Sequence, residues 1–512
     1  MRTINTLPDT GDTTPVHEPA KTVTVPRTGE DIARELPPQR LRTPTKKTIT
    51  TKTVPGKKKD ETSFDLPPPK WPVSIRDEQD DFEDVIHPGD GETVIPLPKF
   101  WSGPLNDGEL MSPELAAHVG SYTDGSVDEN LTHKNDPSKR TIFVAIASYR
   151  DWQCRYTVES ILLRAKYPER VRVAVVDQVA EGDASCGVPI KQCGVDPYQA
   201  LCQYSDNVDV VELDAILAVG PVFARHIGHR MYRGEYYAMQ VDAHVDFVTD
   251  WDVDIIRQIE SSNNEMAVLS TYLTDVQGAI DKVTGASLLH TRPIMCSTDY
   301  EGGPQGKHLR HMQQPEREPP IKGQPQLHPY WAAGYSFSRG HFLVNVPYDF
   351  YQPMIFQGEE IGVGIRGFTY GYDFYAPERS ICFHAYAVGA NAAKRGKVKH
   401  FWEHSNMYAG VGIGSMKRLI GIIEGSPEVD PSEWNHAEEK RYGLGKVRTP
   451  AKFYETFGID VVRKKAEQNL CAFVQGGTMH RRFVKQLRPD GMGIDYSKIV
   501  YKFENPGLNA VW

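Results

Sequence analysis

Residues 236–247 read YYAMQVDAHVDF. An apolar run, Tyr236–Val241, ends in Asp242 and His244 with Ala243 between them. In an extended strand alternate side chains share a face, so these two converge on one point. A carboxylate and an imidazole form the mixed oxygen and nitrogen donor set that suits Mn²⁺ or another divalent cation. A buried aspartate is costly without a cation or donors, which favours an ion over a strand-end turn with a core histidine. Asp246 shares the same face if the strand continues and stands as a reserve ligand.

Working outward from this run, strands and helices alternate. Thr141–Ser148 (TIFVAIAS) is a β-branched apolar run that predicts a buried strand, and Gln153–Lys166 follows with helical spacing. Val171–Asp177 and Val208–Leu213 are the next strands; Pro221 opens a helix that leads into Tyr236–Val241. A helix around Val253–Ile259 and a strand at Met266–Thr271 continue the series. This order predicts an α/β fold with a mainly parallel, Rossmann-like sheet and helices on both faces. Ligands of such sheets sit beyond the carboxyl ends of the strands. Ser148–Asp151, Asp177 and Asp242–His244 all fall at such ends. Further on, 302–327 is rich in Gly, Pro and charge and reads as a long loop or insertion. Gly358–Tyr370 reads as a helix and Ser380–Ala387 as a strand carrying His384.

The 512 residues are 39% hydrophobic with a net charge of −9, enough for a large core and unfavourable for nucleic-acid binding by the folded part. Residues 1–135 read as a largely disordered tail, 139–425 as the catalytic domain and 426–512 as an extension packed on it. The tail holds a basic block, Arg40–Lys59, and an acidic one, Asp77–Asp90. The basic block reads as a contact for an acidic surface or as part of an entropic tail. No stretch approaches the ~18 apolar residues of a membrane span, and the first residues lack the apolar core of a signal peptide. Seven cysteines are sparse and odd in number for this length, so Cys186, Cys193 and Cys202 are expected as loop thiols of a reducing compartment, with a local disulfide as the alternative. These features predict a cytoplasmic protein.

Other candidates surround the Asp-x-His pair. Asp250, Asp252 and Asp254 mimic a D-x-D motif, but they open a helix and are assigned to capping. His384 is the candidate third ligand; a satisfied core histidine is the competing reading. Glu359 and Glu360 begin a helix, where capping accounts for one carboxylate and leaves the other for sugar hydroxyls or an acceptor. Arg225 fits a diphosphate contact and a salt bridge equally. Ser148, Tyr149, Arg150 and Asp151 form a polar loop without the glycines that a dinucleotide fingerprint or a P-loop requires.

Several motifs, in order, resemble one family: TIFVAIASYRD, GPVFARHIGHRMYRGEYYAMQVDAHVDF, WAAGYSFSRGHFLVNVPYD, IFQGEEIGVGIRGFTYGYDFYAP and RYGLGKVRTPAKFYETFGID. They are similar to glycosyltransferases that place N-acetylglucosamine on hydroxyl groups of polypeptides. That group includes a cytoplasmic enzyme acting on a hydroxyproline of a ubiquitin-ligase adaptor and protist Golgi mucin-type transferases. The resemblance spans roughly Arg140 to Asp460. It implies a GT-A fold, a UDP-GlcNAc donor, a divalent cation such as Mn²⁺, a polypeptide acceptor (hydroxyproline, Thr or Ser) and retention of anomeric configuration. Residue by residue it implies a metal at Asp242, His244 and His384, and Glu359, Glu360 and Arg225 in catalysis. Ser148, Tyr149, Arg150, Asp151, Asp177 and Arg225 then hold the nucleotide sugar. Ala243 departs from the Ser usual in the family's motif, at a side chain that points away from the ion.

Two other functions compete. A metal-dependent phosphodiester hydrolase needs more converging carboxylates than this strand end offers. A sugar-binding protein on an inactive fold has no need of both the Asp242/His244 and Glu359/Glu360 sets.

Overall fold

The computed structural model describes residues 82–101, 107–118, 140–289, 292–302, 307–316 and 319–499. The rest of the predicted tail lies outside the described residues. Two parts of it do not. Strands β1 (Phe82–Ile86) and β2 (Val94–Pro98) pair antiparallel, and helix α1 (Pro113–His118) follows. Ile95, Leu97, Met111 and Ala116 are buried in the main core. Organised structure therefore begins well before Arg140, at a segment whose short apolar alternation is hidden among acidic residues.

The central sheet has eight strands. β3 (Ile142–Tyr149), β4 (Val171–Val179), β5 (Val208–Asp214) and β6 (Tyr237–Asp242) run parallel. β3 and β4 are almost continuously apolar because both of their faces are covered. Helix α2 (Cys154–Arg164) follows β3, and α3 (Pro221–Arg230) packs on β3 and β4. Pro221 presets the first turn of α3. Gly220 before it has φ 105°, and a Cβ there would lie 3.0 Å from the Ile355 carbonyl, so only glycine fits.

After Asp242 the chain bends at Ala243–His244 and resumes as β7 (Val245–Phe247), which leaves the main sheet. Helix α4 (Trp251–Glu260) and β8 (Ala267–Ser270) come next. Within the predicted loop at 302–327 the structure places β10 (His308–Glu316), paired antiparallel with the preceding β9 (Arg292–Glu301), and the short β11 (Gln326–Leu327). The β9–β10 pair faces the core through Ile294, Met295, Cys296 and Leu309, which are buried, while Asp299 and Glu301 near the tip of β9 are not.

β12 (Tyr335–Arg339) enters the sheet between β6 and β8, antiparallel to both. Its first residues thus stand at the same rim as the last residues of β6, with Tyr335 opposite Val241. Helix α5 (Glu359–Thr369) leads to β13 (Asp373–Ala376), parallel to β8 and flanked by β11. β14 (Cys382–His384) pairs antiparallel with β7 and sets His384 opposite Val245.

Helices α6 (Val411–Ile422), α7 (Pro450–Phe457) and α8 (Leu470–Gln475) follow. Phe453 of α7 packs edge-on against Phe368 of α5. Among the described residues no helix is long and apolar enough to cross a membrane.

Six cysteines are bonded in pairs: Cys154–Cys186, Cys193–Cys202 and Cys296–Cys471. This corrects the expectation of loop thiols. The partner of Cys186 is 32 residues away and reaches it only when β3, α2 and β4 wind into place. Cys382 alone among the seven is free, and it is buried.

Candidate active site

Asp242 ends β6, His244 lies in the bend that follows, and His384 arrives on β14. One donor atom from each falls within 4.8 Å of the others. Donors about 2.1 Å from a shared ion stand roughly 3–4 Å apart, so modest adjustment suffices for this set to grip one. The His244 and His384 rings meet edge-on with centroids 4.4 Å apart, and His384 Nε2 is 3.3 Å from Asp242 Oδ2. Asp242 Oδ1 accepts from Arg225 Nη2 at 2.7 Å, which leaves Oδ2 to face the histidines. Burial opposes the Asp242 charge, but the His384 hydrogen bond and the Arg225 guanidinium overcome it and hold the carboxyl well below its usual range. Burial pushes His244 down despite Asp151 beside it, which keeps the imidazole in the neutral form that ligates metals.

Gly334, in the turn just before β12, makes this packing feasible. Its carbonyl accepts from Asp242 N at 3.3 Å, and a Cβ at 334 would sit 3.0 Å from Asp242 Oδ2.

The second carboxylate group flanks the first. Glu359, buried in the first turn of α5, accepts from Arg225 Nη1 at 2.5 Å. Arg225 thus bridges Asp242 and Glu359, so the salt-bridge reading holds in this geometry. Glu360 accepts from Ala333 N at 2.9 Å through Oε1, and from the Tyr272 hydroxyl through Oε2. Burial pushes Glu360 up to about 7, against the lowering effect of these two donors. Neither glutamate is spent as a simple cap.

All of these groups line one cavity of ≈ 1070 Å³ at the carboxyl rim of the sheet. Ser148 and Tyr149 line it as well. Tyr149 donates to Glu403 at 2.5 Å. Asp151, expected at the nucleoside end, lines the cavity too, with its Oδ2 lying 2.8 Å from His244 Nδ1. That contact fixes the ring and leaves Nε2 for a ligand.

Two predicted residues do not line the cavity. Arg150, with φ 49°, turns away to Asp183 at 2.7 Å and Glu403 at 2.8 Å. Asp177 accepts from the Cys186 backbone at 2.7 Å, and burial pushes it up to about 6. It holds the disulfide loop. Asp246 is no reserve ligand, because the bend at 243–244 redirects it to Ser160 and Arg164, each at 3.1 Å. The three aspartates of α4 hold no ion cluster either, and no side-chain cap forms at Asp250. Asp252 instead takes Arg170 at 2.6 Å and Asp254 takes Arg257 at 2.7 Å.

Sequence reasoning missed Tyr272, Tyr386 and Arg395, which also line the cavity. Arg395 Nη1 donates to Asp151 Oδ2 at 2.7 Å. Tyr386 stands two residues after His384 in the predicted strand, a spacing that could have marked it; Tyr272 and Arg395 lie in no periodic or paired motif.

A family model described as Glycosyltransferase (GlcNAc) matches residues 141–197 and 190–463. The chain belongs to this glycosyltransferase family. Its α/β architecture sets the Asp-x-His pair at the carboxyl rim of one eight-stranded sheet. No curated protein matches the chain. Among solved structures it is similar to GalNAc-T7 with UDP, GalNAc and Mn²⁺, at 16% identity and a TM-score of 0.41, covering 62% of this chain and 55% of that one. It is also similar to S. aureus TarS 1–349 in complex with UDP-GlcNAc, at 11% identity and a TM-score of 0.29, covering 55% and 71%. The chain therefore spans about 55% of the GalNAc-T7 structure's length.

Proposed function

We propose that this glycosyltransferase moves N-acetylglucosamine from UDP-GlcNAc to a hydroxyl group of a polypeptide, with retention of configuration and dependence on a divalent cation, Mn²⁺ above others. The observation that carries the reading is the meeting of Asp242, His244 and His384 within 4.8 Å, in the same cavity as the Arg225–Glu359 pair and Glu360. The family description supports GlcNAc as the sugar.

The donor set fits a cation: one carboxylate held ionised, and a histidine whose Nδ1 faces Asp151. When bound, the cation supplies charge neutralisation to the departing diphosphate. Arg225 keeps Asp242 and Glu359 in fixed orientation and places a guanidinium beside the developing charge. Glu359 and Glu360 accept hydrogen bonds from sugar hydroxyls, with Glu360 steadied by Tyr272 and Ala333 N. Ser148 and Tyr149 face the nucleoside. The acceptor oxygen bonds to the anomeric carbon on the face the diphosphate leaves, the carbon–phosphate oxygen bond breaks, and the hydroxyl proton passes to a phosphate oxygen. Glu359 and Glu360 are already engaged, and no side-chain nucleophile is assigned.

Three disulfides support an oxidising compartment over the cytoplasmic one expected from the sequence.

The test is incubation of the full chain with labelled UDP-GlcNAc and Mn²⁺, scoring nucleotide release and transfer to hydroxyl-bearing peptides. Asp242→Asn should lower Mn²⁺-dependent release at least a hundredfold while the thermal transition persists. Equal turnover in that variant would refute the assignment, and donor binding without turnover in the wild type would favour the inactive sugar-binding reading.

A further inference from the structure

The segment between His384 and Glu403 forms one wall of the cavity through Tyr386, Arg395 and residues 398–402. Besides contacts at 385–390 with His244, Asp275 and Gln277, three fastenings are made by its own side chains. The Tyr386 hydroxyl donates to the Leu273 carbonyl at 2.9 Å. Glu403 accepts from Tyr149 at 2.5 Å and from Arg150 at 2.8 Å. Between them, Arg395 Nη1 donates to Asp151 Oδ2 at 2.7 Å, to Asp151 Oδ1 at 2.9 Å and to Gln153 Oε1 at 3.0 Å.

The middle fastening differs from the others in what it reaches. Asp151 Oδ2 is the same oxygen that lies 2.8 Å from His244 Nδ1. One buried carboxylate therefore holds both the wall segment and the histidine. The Asp151 side chain is 5% exposed and that of Arg395 10%, so the pair is shielded from the solvent competition that weakens surface ion pairs. Without the guanidinium, Asp151 keeps the Gln153 backbone donor at 3.0 Å on Oδ1 and the His244 ring at 2.8 Å on Oδ2, but it loses the cation that spans both of its oxygens and ties it to the wall segment.

We propose that Arg395 is a positioning residue that couples closure of the 385–402 strap to the affinity of the Asp242–His244–His384 cluster for a divalent cation. The inference rests on reading that cluster as a metal site. Closing the strap sets Asp151, Asp151 sets the His244 ring, and the ring presents its remaining nitrogen to the cation. Such coupling is reciprocal. A bound cation therefore holds the strap shut, and an open strap releases the cation more readily.

The strap contains its own reporters, because Lys394, Arg395, Lys397 and Lys399 are trypsin sites. The experiment uses the full-length chain without donor. Mn²⁺ affinity is measured by paramagnetic resonance of the free ion, and tryptic cleavage within 394–399 is followed with and without Mn²⁺. In the wild type, Mn²⁺ should slow cleavage in the strap. Arg395→Gln should bind Mn²⁺ roughly tenfold or more weakly, and Mn²⁺ should no longer protect its remaining lysines. Arg395→Lys should recover part of both effects, since the Arg395 contacts all run from the single Nη1 and an ammonium on a shorter stem keeps the charge but reaches that point less fully. If Arg395→Gln does not fold, Arg395→Lys against wild type decides: weaker affinity with lost protection supports the coupling, and unchanged values refute it. Wild-type affinity and protection in Arg395→Gln overturn the coupling and leave the metal site standing. A wild type that takes up no Mn²⁺ overturns both.

Discussion

Replacing Glu360 by Gln gives a test whose sign and size follow from the structure. Burial raises the Glu360 carboxyl from 4.5 to about 7, although the Tyr272 hydroxyl and the Ala333 amide both favour its charged form. A group whose folded value is raised contributes stability that is fully present below its unfolded value and lost as pH rises through the folded one. Here the window runs from near 4.5 to about 7. A rise of that size corresponds to at most about 3 kcal/mol. The amide of Glu360→Gln stays neutral throughout and retains an oxygen for the Ala333 N–H. The variant should therefore gain on the wild type as pH rises, by up to ~3 kcal/mol between pH 5 and pH 8. Urea titrations of both proteins at pH 5, 6, 7 and 8 measure this difference directly. Over the same range wild-type donor turnover should climb through about pH 7 as the carboxylate forms, whereas the variant should be slow at every pH. Stability curves that stay parallel across pH would refute the argument, because they would mean that Glu360 ionises as easily in the fold as in the unfolded chain.

Further outcomes follow from other contacts. Gly334→Ala would place a Cβ 3.0 Å from Asp242 Oδ2, so Mn²⁺ affinity should fall at least tenfold with little change in melting temperature; unchanged affinity would show that Asp242 does not need this close approach. Thiol labelling of the protein unfolded without reductant should find one reactive cysteine, Cys382, and all seven after reduction. Opening Cys154–Cys186 by mutating both residues to Ser should cost about 3–4 kcal/mol by loop-closure entropy, read as a lowered urea midpoint.

Legibility along the chain followed the range of the interactions. β3, β4 and β6 were visible because strands covered on both faces must be apolar for several residues in a row, a local signature. Asp242 and His244 were visible because one residue of spacing in a strand is itself a geometric statement. His384 was a candidate on its strand, but its place beside His244 depends on the pairing of β14 with β7, a register no local pattern encodes. Asp246 failed for the complementary reason. Its alternation with His244 is real in sequence, but the bend at 243–244 breaks the period and sends it to Arg164. Asp151 was a candidate at its strand end, but its contact with His244 was not legible, since that histidine lies 93 residues away.

The amino-acid order by itself determined the alternating strands and helices, the rim of the sheet and the Asp-x-His pair at the end of β6. These depend on side-chain period and hydrophobicity, which act over a few residues. The fold alone decided which carboxylates stay free and which are tied: Arg225 bridging Asp242 and Glu359, Tyr272 pinning Glu360, and Asp177 turned to the disulfide loop. It also decided that β12 runs antiparallel, which brings Gly334 against Asp242, and that six cysteines meet as pairs. Each of these is a contact between residues distant in sequence, and its energy depends on burial and on partners that exist only once the chain has closed on itself.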